Sequence, residues 1–189
     1  QSGAVSYGAA QGSGRVNSSD IVGGNQVITA VGVGILTPAN TRLTGALINE
    51  MSSQGQGSVT FNGAVSGTQN VRGVGVGLMI SSGSTLVGAV INSITGTLSG
   101  AGDAFVAVGS GAQTVSGVGV GLLVSQLSTV VGDIRNEGGL IVGSGSLSGV
   151  SGYAGIGILL ERSSVLQGDL RNTGTILGLN ESGVALHTV

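Results

Sequence analysis

Val118-Gly-Val-Gly121, Leu122-Leu-Val124, Ser125-Gln-Leu-Ser128 and Thr129-Val-Val-Gly-Asp-Ile-Arg-Asn136 follow one another without a break, and the fold can be read from them. Val120, Leu122 and Val124 alternate with Gly119, Gly121 and Leu123. That is a period of two, the period of a β-strand. A serine-rich turn follows, then a second apolar run, then Gly138-Gly139 leading into Leu140-Ile-Val-Gly143. Three short strands separated by Gly, Ser and Asn turns are expected to make one coil of a solenoid. Nowhere does an amphipathic helical period appear, which excludes ankyrin, leucine-rich and other helix-containing repeats.

The stretch recurs. Val31-Gly-Val-Gly34, Val74-Gly-Val-Gly77, Val118-Gly-Val-Gly121 and Ala154-Gly-Ile-Gly157 start four units, spaced 43, 44 and 36 residues apart. In each unit a glycine stands eleven residues further on (Gly45, Gly88, Gly132, Gly168) and an asparagine four beyond that (Asn49, Asn92, Asn136, Asn172). Val184-Ala-Leu186 begins another unit 28 residues after Ile156. Near the start, Asn17-Ser-Ser-Asp-Ile21-Val-Gly23 resembles Asn172-Thr-Gly-Thr-Ile176-Leu-Gly178. The expected organisation is a single β-solenoid over residues 1–189. Residues 1–30 form a degenerate coil, 31–73, 74–117, 118–153 and 154–183 form the repeats, and 184–189 open a further coil. The fold class is therefore all-β, a parallel β-solenoid or β-helix of about four to five imperfect coils, with Gly-rich turns and no helices of note.

Stacked coils lie about 4.8 Å apart, so each repeat position becomes a column. Three inward columns are expected: Ile35, Leu78, Leu122, Ile158; Leu43, Leu86, Val130, Leu166; and Leu47, Val90, Ile134, Leu170. Aliphatic side chains self-stack in a narrow coil where large rings fit poorly, in keeping with an aromatic content of 2%. Glycine, 39 of 189 residues, is expected at the corners, where a positive φ and close backbone approach are needed. The column Asn49, Asn92, Asn136, Asn172 is expected to form a structural ladder of amide hydrogen bonds. Its alternative is four separate left-handed turns.

Composition narrows the function. Charged residues are 7% against a usual ~25%, yet 40% of the chain is apolar, so it folds rather than staying disordered. A net charge of −2, with six Arg and no Lys, leaves no footprint for nucleic acid. One proline, Pro38, excludes collagen and elastin-like coils. Glycine and serine interrupt every apolar run before the ~20 residues of a membrane span, so no transmembrane segment is expected in this chain. Cysteine is absent, which removes disulfides and thiol chemistry. A start at Gln1 suits a processed mature chain or an excised fragment.

The order G-[VI]-G-[IL]-[LM], a Ser/Thr turn, [LV]-x-G-x-[LIV]-x-N and G-x-[IL]-x-G resembles the passenger repeats of bacterial autotransporters. It is clearest in Ala154-Gly-Ile-Gly-Ile-Leu-Leu160, Ser163-Ser-Val-Leu-Gln-Gly168 and Asp169-Leu-Arg-Asn-Thr-Gly-Thr-Ile-Leu-Gly178. The resemblance covers roughly residues 14–189. It implies a parallel β-helix exported to the surface of a Gram-negative cell, and it says little about activity.

Catalysis needs paired carboxylates or an acid and a base at a fixed separation. Asp133 and Asp169 share a column, with Arg135 and Arg171 two places along; balanced charges on a solvated face are the expectation, at about 0–1 kcal/mol per pair. His187 has no acid beside it in sequence, so no serine has an evident activating partner. Gly100-Ala-Gly-Asp103-Ala-Phe105 resembles a calcium-binding turn, but one Asp in one copy supplies too few oxygens. No catalytic, metal or cofactor-binding residue, and no cofactor, is therefore expected.

Two expectations concern surfaces. Leu36 and Met79, with Ile48 and Ile91, form a candidate interaction face, because outward positions change from apolar to charged towards Arg135 and Arg171. Residues 50–73 and 101–117 are expected to fold back over that apolar half, or a partner chain to cover it. The solenoid is expected to continue beyond its ends, into the rest of a longer passenger or another copy of itself, and Val5 and Tyr7 to supply a short pairing strand. The function expected is a structural or adhesive extracellular solenoid, not an enzyme: an autotransporter-like passenger segment or a self-assembling fibre subunit. Its expected partners are itself, end to end or side by side, or a host or neighbouring-cell surface. The alternative is a carbohydrate-active or a glycan- or ice-binding β-helix.

Overall fold

The computed structural model describes residues 9–18, 24–110, 113–148, 154–179 and 184–188, and these contain strands and no helix. The strands are β1 (Ala10–Ser18), β2 (Gln26–Leu36), β3 (Arg42–Thr44), β4 (Leu47–Asn49), β5 (Ser52–Ser66), β6 (Gln69–Ile80), β7 (Thr85–Val87), β8 (Val90–Asn92), β9 (Thr97–Ser110) and β10 (Gln113–Val124). They continue with β11 (Thr129–Val131), β12 (Ile134–Asn136), β13 (Leu140–Ser144), β14 (Leu147–Ser148), β15 (Gly155–Leu160), β16 (Val165–Gln167), β17 (Leu170–Asn172), β18 (Thr175–Leu179) and β19 (Val184–Thr188).

Four sheets run along the stack, in the orders β19-β15-β10-β6-β2, β16-β11-β7-β3, β17-β12-β8-β4 and β1-β5-β9-β13-β18. All these pairings are parallel; the short β14 pairs antiparallel with β10. The chain is a β-solenoid. Each coil has four strands rather than the three expected. The run Thr129–Asn136 is broken at Gly132, where φ is +144°, as are its equivalents at Gly88 (+152°) and Gly45 (+117°). That region of φ is open to glycine and strained for other residues, so one strand becomes two with a corner between them.

The three inward columns are in register as the repeat implies. Leu78 stands opposite Ile35 and Leu122, and Leu122 opposite Ile158. Leu86 links Leu43 and Val130, which stands opposite Leu166. Val90 links Leu47 and Ile134, which stands opposite Leu170. A fourth column, Leu98, Ile141 and Ile176, closes the remaining side, and all pack into one aliphatic core.

The excursions between Asn and GVGVG do something the repeat did not reveal. The described residues of 50–73 and 101–117 do not fold back over the outer surface. They lengthen β5, β6, β9 and β10, so two sheets extend together as an arm. A second core, Ala30, Val59, Phe61 and Val71, lies within this arm, backed by Val16, Ile28, Ala104 and Val106.

Between the two cores the sheets meet on glycine. A Cβ on Gly55 would sit 2.0 Å from the Val76 carbonyl oxygen, and one on Gly100 2.1 Å from that of Val120. Such contacts with backbone leave room for hydrogen only. None of these seam glycines has a positive φ, unlike the corner glycines. Most of the GVGVG glycines therefore lie within strands and serve close packing of sheets, while the corner role expected of glycine falls to Gly45, Gly88 and Gly132.

At the turn after β10 the left-handed conformation falls on Leu127 (φ +59°), which is 68% exposed. The first coil uses Asn40 (+53°) and the second Gly83 (+71°) at the corresponding turn. A bulky residue there costs roughly 1–2 kcal/mol, and Leu127 recovers little of it by burial. Leu127→Asn is expected to stabilise the chain by about 0.5–1 kcal/mol, a rise of some 1–4 °C in midpoint. Thermal melting followed by circular dichroism tests this; a lowered midpoint would show that Leu127 is held by packing.

Candidate functional site

The column of asparagines ends β4, β8, β12 and β17, at the corner before each coil turns into its next long strand. Burial is nearly complete for Asn49, Asn92 and Asn136, while Asn172 is exposed. Asn49 Nδ2 donates to Asn92 Oδ1 at 2.7 Å, Asn92 Nδ2 to Asn136 Oδ1 at 2.8 Å, and Asn136 Nδ2 to Asn172 Oδ1 at 2.8 Å. The amide is the side chain that both donates and accepts within the ~4.8 Å spacing between coils. Second contacts run to backbone carbonyls, including Thr97 O from Asn49 and Gly139 O from Asn136. None of the four is left-handed, so the turn alternative does not describe them.

The middle rung carries the ladder. In Asn92→Ala, Asn49 Nδ2 loses its side-chain acceptor and Asn136 Oδ1 its donor, both in a buried corner. Each unsatisfied group costs about 1–3 kcal/mol, so a loss of some 2–5 kcal/mol is expected in urea unfolding. A loss below 1 kcal/mol would mean that backbone contacts alone hold the corner.

The corner between β10 and β11, with its equivalents, has a second network built from hydroxyls. Ser81 Oγ donates to Thr37 O, Ser84 Oγ to Pro38 O at 2.7 Å, and Ser128 Oγ to Ser81 O at 2.7 Å. Ser84 and Ser128 are almost completely buried. Their spacing was visible, since Ser84, Ser128 and Ser164 each stand seven residues after the last glycine of their string. In the sequence it reads as an ordinary polar turn.

On the outer side of β12 and β17 lies the charged group. Arg135 Nε and Nη2 donate to Asp133 Oδ2 at 3.1 and 2.9 Å, and the Asp169 backbone N–H donates to Asp133 Oδ1 at 3.1 Å. Arg171 bonds Asp169 at 2.8 Å and approaches Asp133 at 3.6 Å, while Glu137 lies 3.9 Å from Arg135. The backbone hydrogen bond from Asp169, then Arg135, hold the Asp133 carboxyl below the ordinary aspartate range. An acid kept ionised in this way has no proton to give at neutral pH. Arg135, Asn136, Glu137, Arg171 and Thr173 line a surface hollow of about 210 Å³ above it.

Because the folded pKa of Asp133 is depressed, its stabilisation is present above the unfolded value and is lost as pH falls through the folded one. Stability is expected to decline below pH ~4, and the decline to be shallower in Asp133→Asn. Urea midpoints measured from pH 6 to pH 2 check this; parallel curves for the two proteins would remove Asp133 from the account.

The remaining sequence candidates are dispersed. Leu36 and Met79 are neighbours on β2 and β6, and Ile48 and Ile91 on β4 and β8. The sheet containing β3 and β7 separates the pairs, so they do not make one face. Met79 packs with Val76, Val120, Leu123 and Ile156 in a third cluster on the outer side of the first sheet, whereas Leu36 is 57% exposed. Ile48 and Ile91 are half-buried. Gly100–Phe105 lies within β9 and is not a turn. Asp103 Oδ1 accepts from Ser146, and Glu161 Oε2 from the Gln126 backbone. His187 falls on β19 opposite Leu159. Val5, Tyr7, Asp20 and Glu181 lie outside the described residues. Among the described residues no three His, Cys, Asp or Glu side chains converge as metal ligands, and no helix is long and apolar enough to cross a membrane.

No protein-family model, curated protein or solved structure matches the chain.

Proposed function

We propose that this chain is a structural or adhesive β-solenoid of the cell exterior, of the autotransporter-passenger kind, and that it is not an enzyme. The observation that carries this reading is the use made of its buried polar side chains. Asn49, Asn92, Asn136, Ser81, Ser84 and Ser128 are spent on bonds from one coil to another. Asparagine and serine hydrogen-bonded in this way stiffen a stack, and these side chains are committed to holding one coil on the next. Parallel pairing along the four sheets gives each coil the same docking geometry for the next, as a passenger segment or a fibre subunit requires. Gram-negative surface export and self-association belong to the same proposal, supported by the motif Ala154–Gly178.

Display of the chain on bacterial cells tests the reading. Cells carrying it are expected to adhere to a substratum or to each other more than cells displaying an unfolded variant, and purified chain to leave polysaccharides uncleaved. Equal adhesion removes the adhesive role; release of reducing ends or unsaturated products from a polysaccharide removes the non-catalytic one.

A further inference from the structure

The outer surface of the arm differs in chemistry from the rest of that sheet. Gln11 stands opposite Gln54 and Ser13 opposite Gln56; the first of these columns continues through Ser99 to Val142 and Leu177, and the second through Ala101 and Ser144 to Leu179, so the polar amides give way to aliphatic side chains by β18. The next column runs Arg15, Ser58, Asp103, and the one after it Asn17, Thr60, Phe105. Gln11, Ser13, Arg15, Gln56 and Ser58, with Gly14, line a shallow, open hollow of about 410 Å³. Among the described residues their side chains make no hydrogen bond or ion pair, in contrast to the mutually bonded Arg and Asp on β12 and β17. Phe105, one of four aromatic residues in the chain, is 51% exposed on the same surface. Strand and residue spacings place it roughly 12 Å from Arg15.

We infer that this surface binds a neutral glycan chain. Amides and hydroxyls both donate and accept, as sugar hydroxyls do, and the guanidinium fork of Arg15 spans two adjacent hydroxyl oxygens. The exposed ring of Phe105 offers a platform for the apolar face of a pyranose. Neighbouring strands are about 4.8 Å apart, close to the length of one sugar unit, so a chain lying across the strands meets one side chain of a column at each sugar. Charge selects against a polyanion: the chain is net negative, and Asp103 shares the Arg15 column. Binding here is independent of whether the solenoid serves as a stalk or a fibre subunit.

Electrophoresis of the purified chain through gels containing galactomannan, xyloglucan or dextran tests the site, with polygalacturonate as the acidic comparison. At least one neutral glycan is expected to retard the chain. The double variant Arg15→Ala/Gln56→Ala is expected to bind at least about tenfold more weakly, and Phe105→Ala to bind more weakly than the parent. Arg162→Ala, on an exposed turn away from the arm, is expected to migrate as the parent does. All four positions are outward, so thermal melting will confirm that folding is retained. Retardation by none of the neutral glycans, by polygalacturonate alone, or equally in the double variant would overturn the inference.

Discussion

Gly75→Val is expected to cost the chain more than about 4 kcal/mol, at the exceptional end for a single substitution. A Cβ at Gly75 would lie 2.0 Å from the Ala101 carbonyl oxygen and 2.5 Å from the Ala101 carbon and nitrogen. These are backbone atoms of β9, held by pairing with β5 and β13, and no rotamer change moves them. Relief requires the two long sheets to part. The seam lies between the aliphatic core of the coils and the core of the arm, so parting loosens packing in both. Gly75 is also stacked between Gly32 and Gly119, whose own clearances depend on the same separation. Ala101→Val provides the comparison. Ala101 points outward from the same stretch of β9, and the larger residue suits an exposed strand, so a change within about 0.5 kcal/mol is expected. Urea unfolding of both variants decides the matter: equal, small effects would mean that the glycines are there for strand composition and not for contact between sheets.

That contrast also explains what could be read from the sequence and what could not. Register between coils was legible, because Leu78, Leu122 and Ile158 recur at fixed distances from Gly and Asn markers, and a column needs only equal spacing. The Asn ladder was legible for the same reason. The arm was not. Its strands, Ser52–Ser66 and Thr97–Ser110, differ from coil to coil in sequence, and shortening of the repeat from 44 to 36 residues reads equally well as loss of a loop. The glycine seam was not legible because contact between sheets joins residues from different parts of the coil, such as Gly75 and Ala101, and no periodicity marks such a pair. Outward positions misled in a similar way. Strand alternation puts Leu123 outside, as it is, yet it is only 7% exposed within the third cluster. The polar surface of β1 and β5 escaped notice because Gln11, Ser13 and Arg15 precede the first clear repeat and join Gln54, Gln56 and Ser58 only through pairing across coils.

Leu122→Asp is expected to leave the chain unfolded under ordinary conditions. Leu122 has no exposed surface and lies between Leu78 and Ile158, in a cluster that includes Val130, Ile134 and Ile141. Removing its side chain from a close-packed core costs roughly 2–5 kcal/mol by itself. The carboxylate adds the cost of burying a charge, and every side chain named around it is aliphatic and offers no hydrogen bond. Protonation lowers that cost without abolishing it, since the neutral acid still lacks a partner. The sum reaches the whole stability of an ordinary domain, about 5–15 kcal/mol. Leu122→Met keeps volume and polarity and is expected to cost under about 1.5 kcal/mol, which separates loss of the column from mere intolerance of change. Circular dichroism at neutral pH, with a urea titration for whatever remains folded, gives the answer. A strand signal and midpoint like those of the parent in Leu122→Asp would mean that position 122 faces water, and with it the register of every coil would have to shift by one residue.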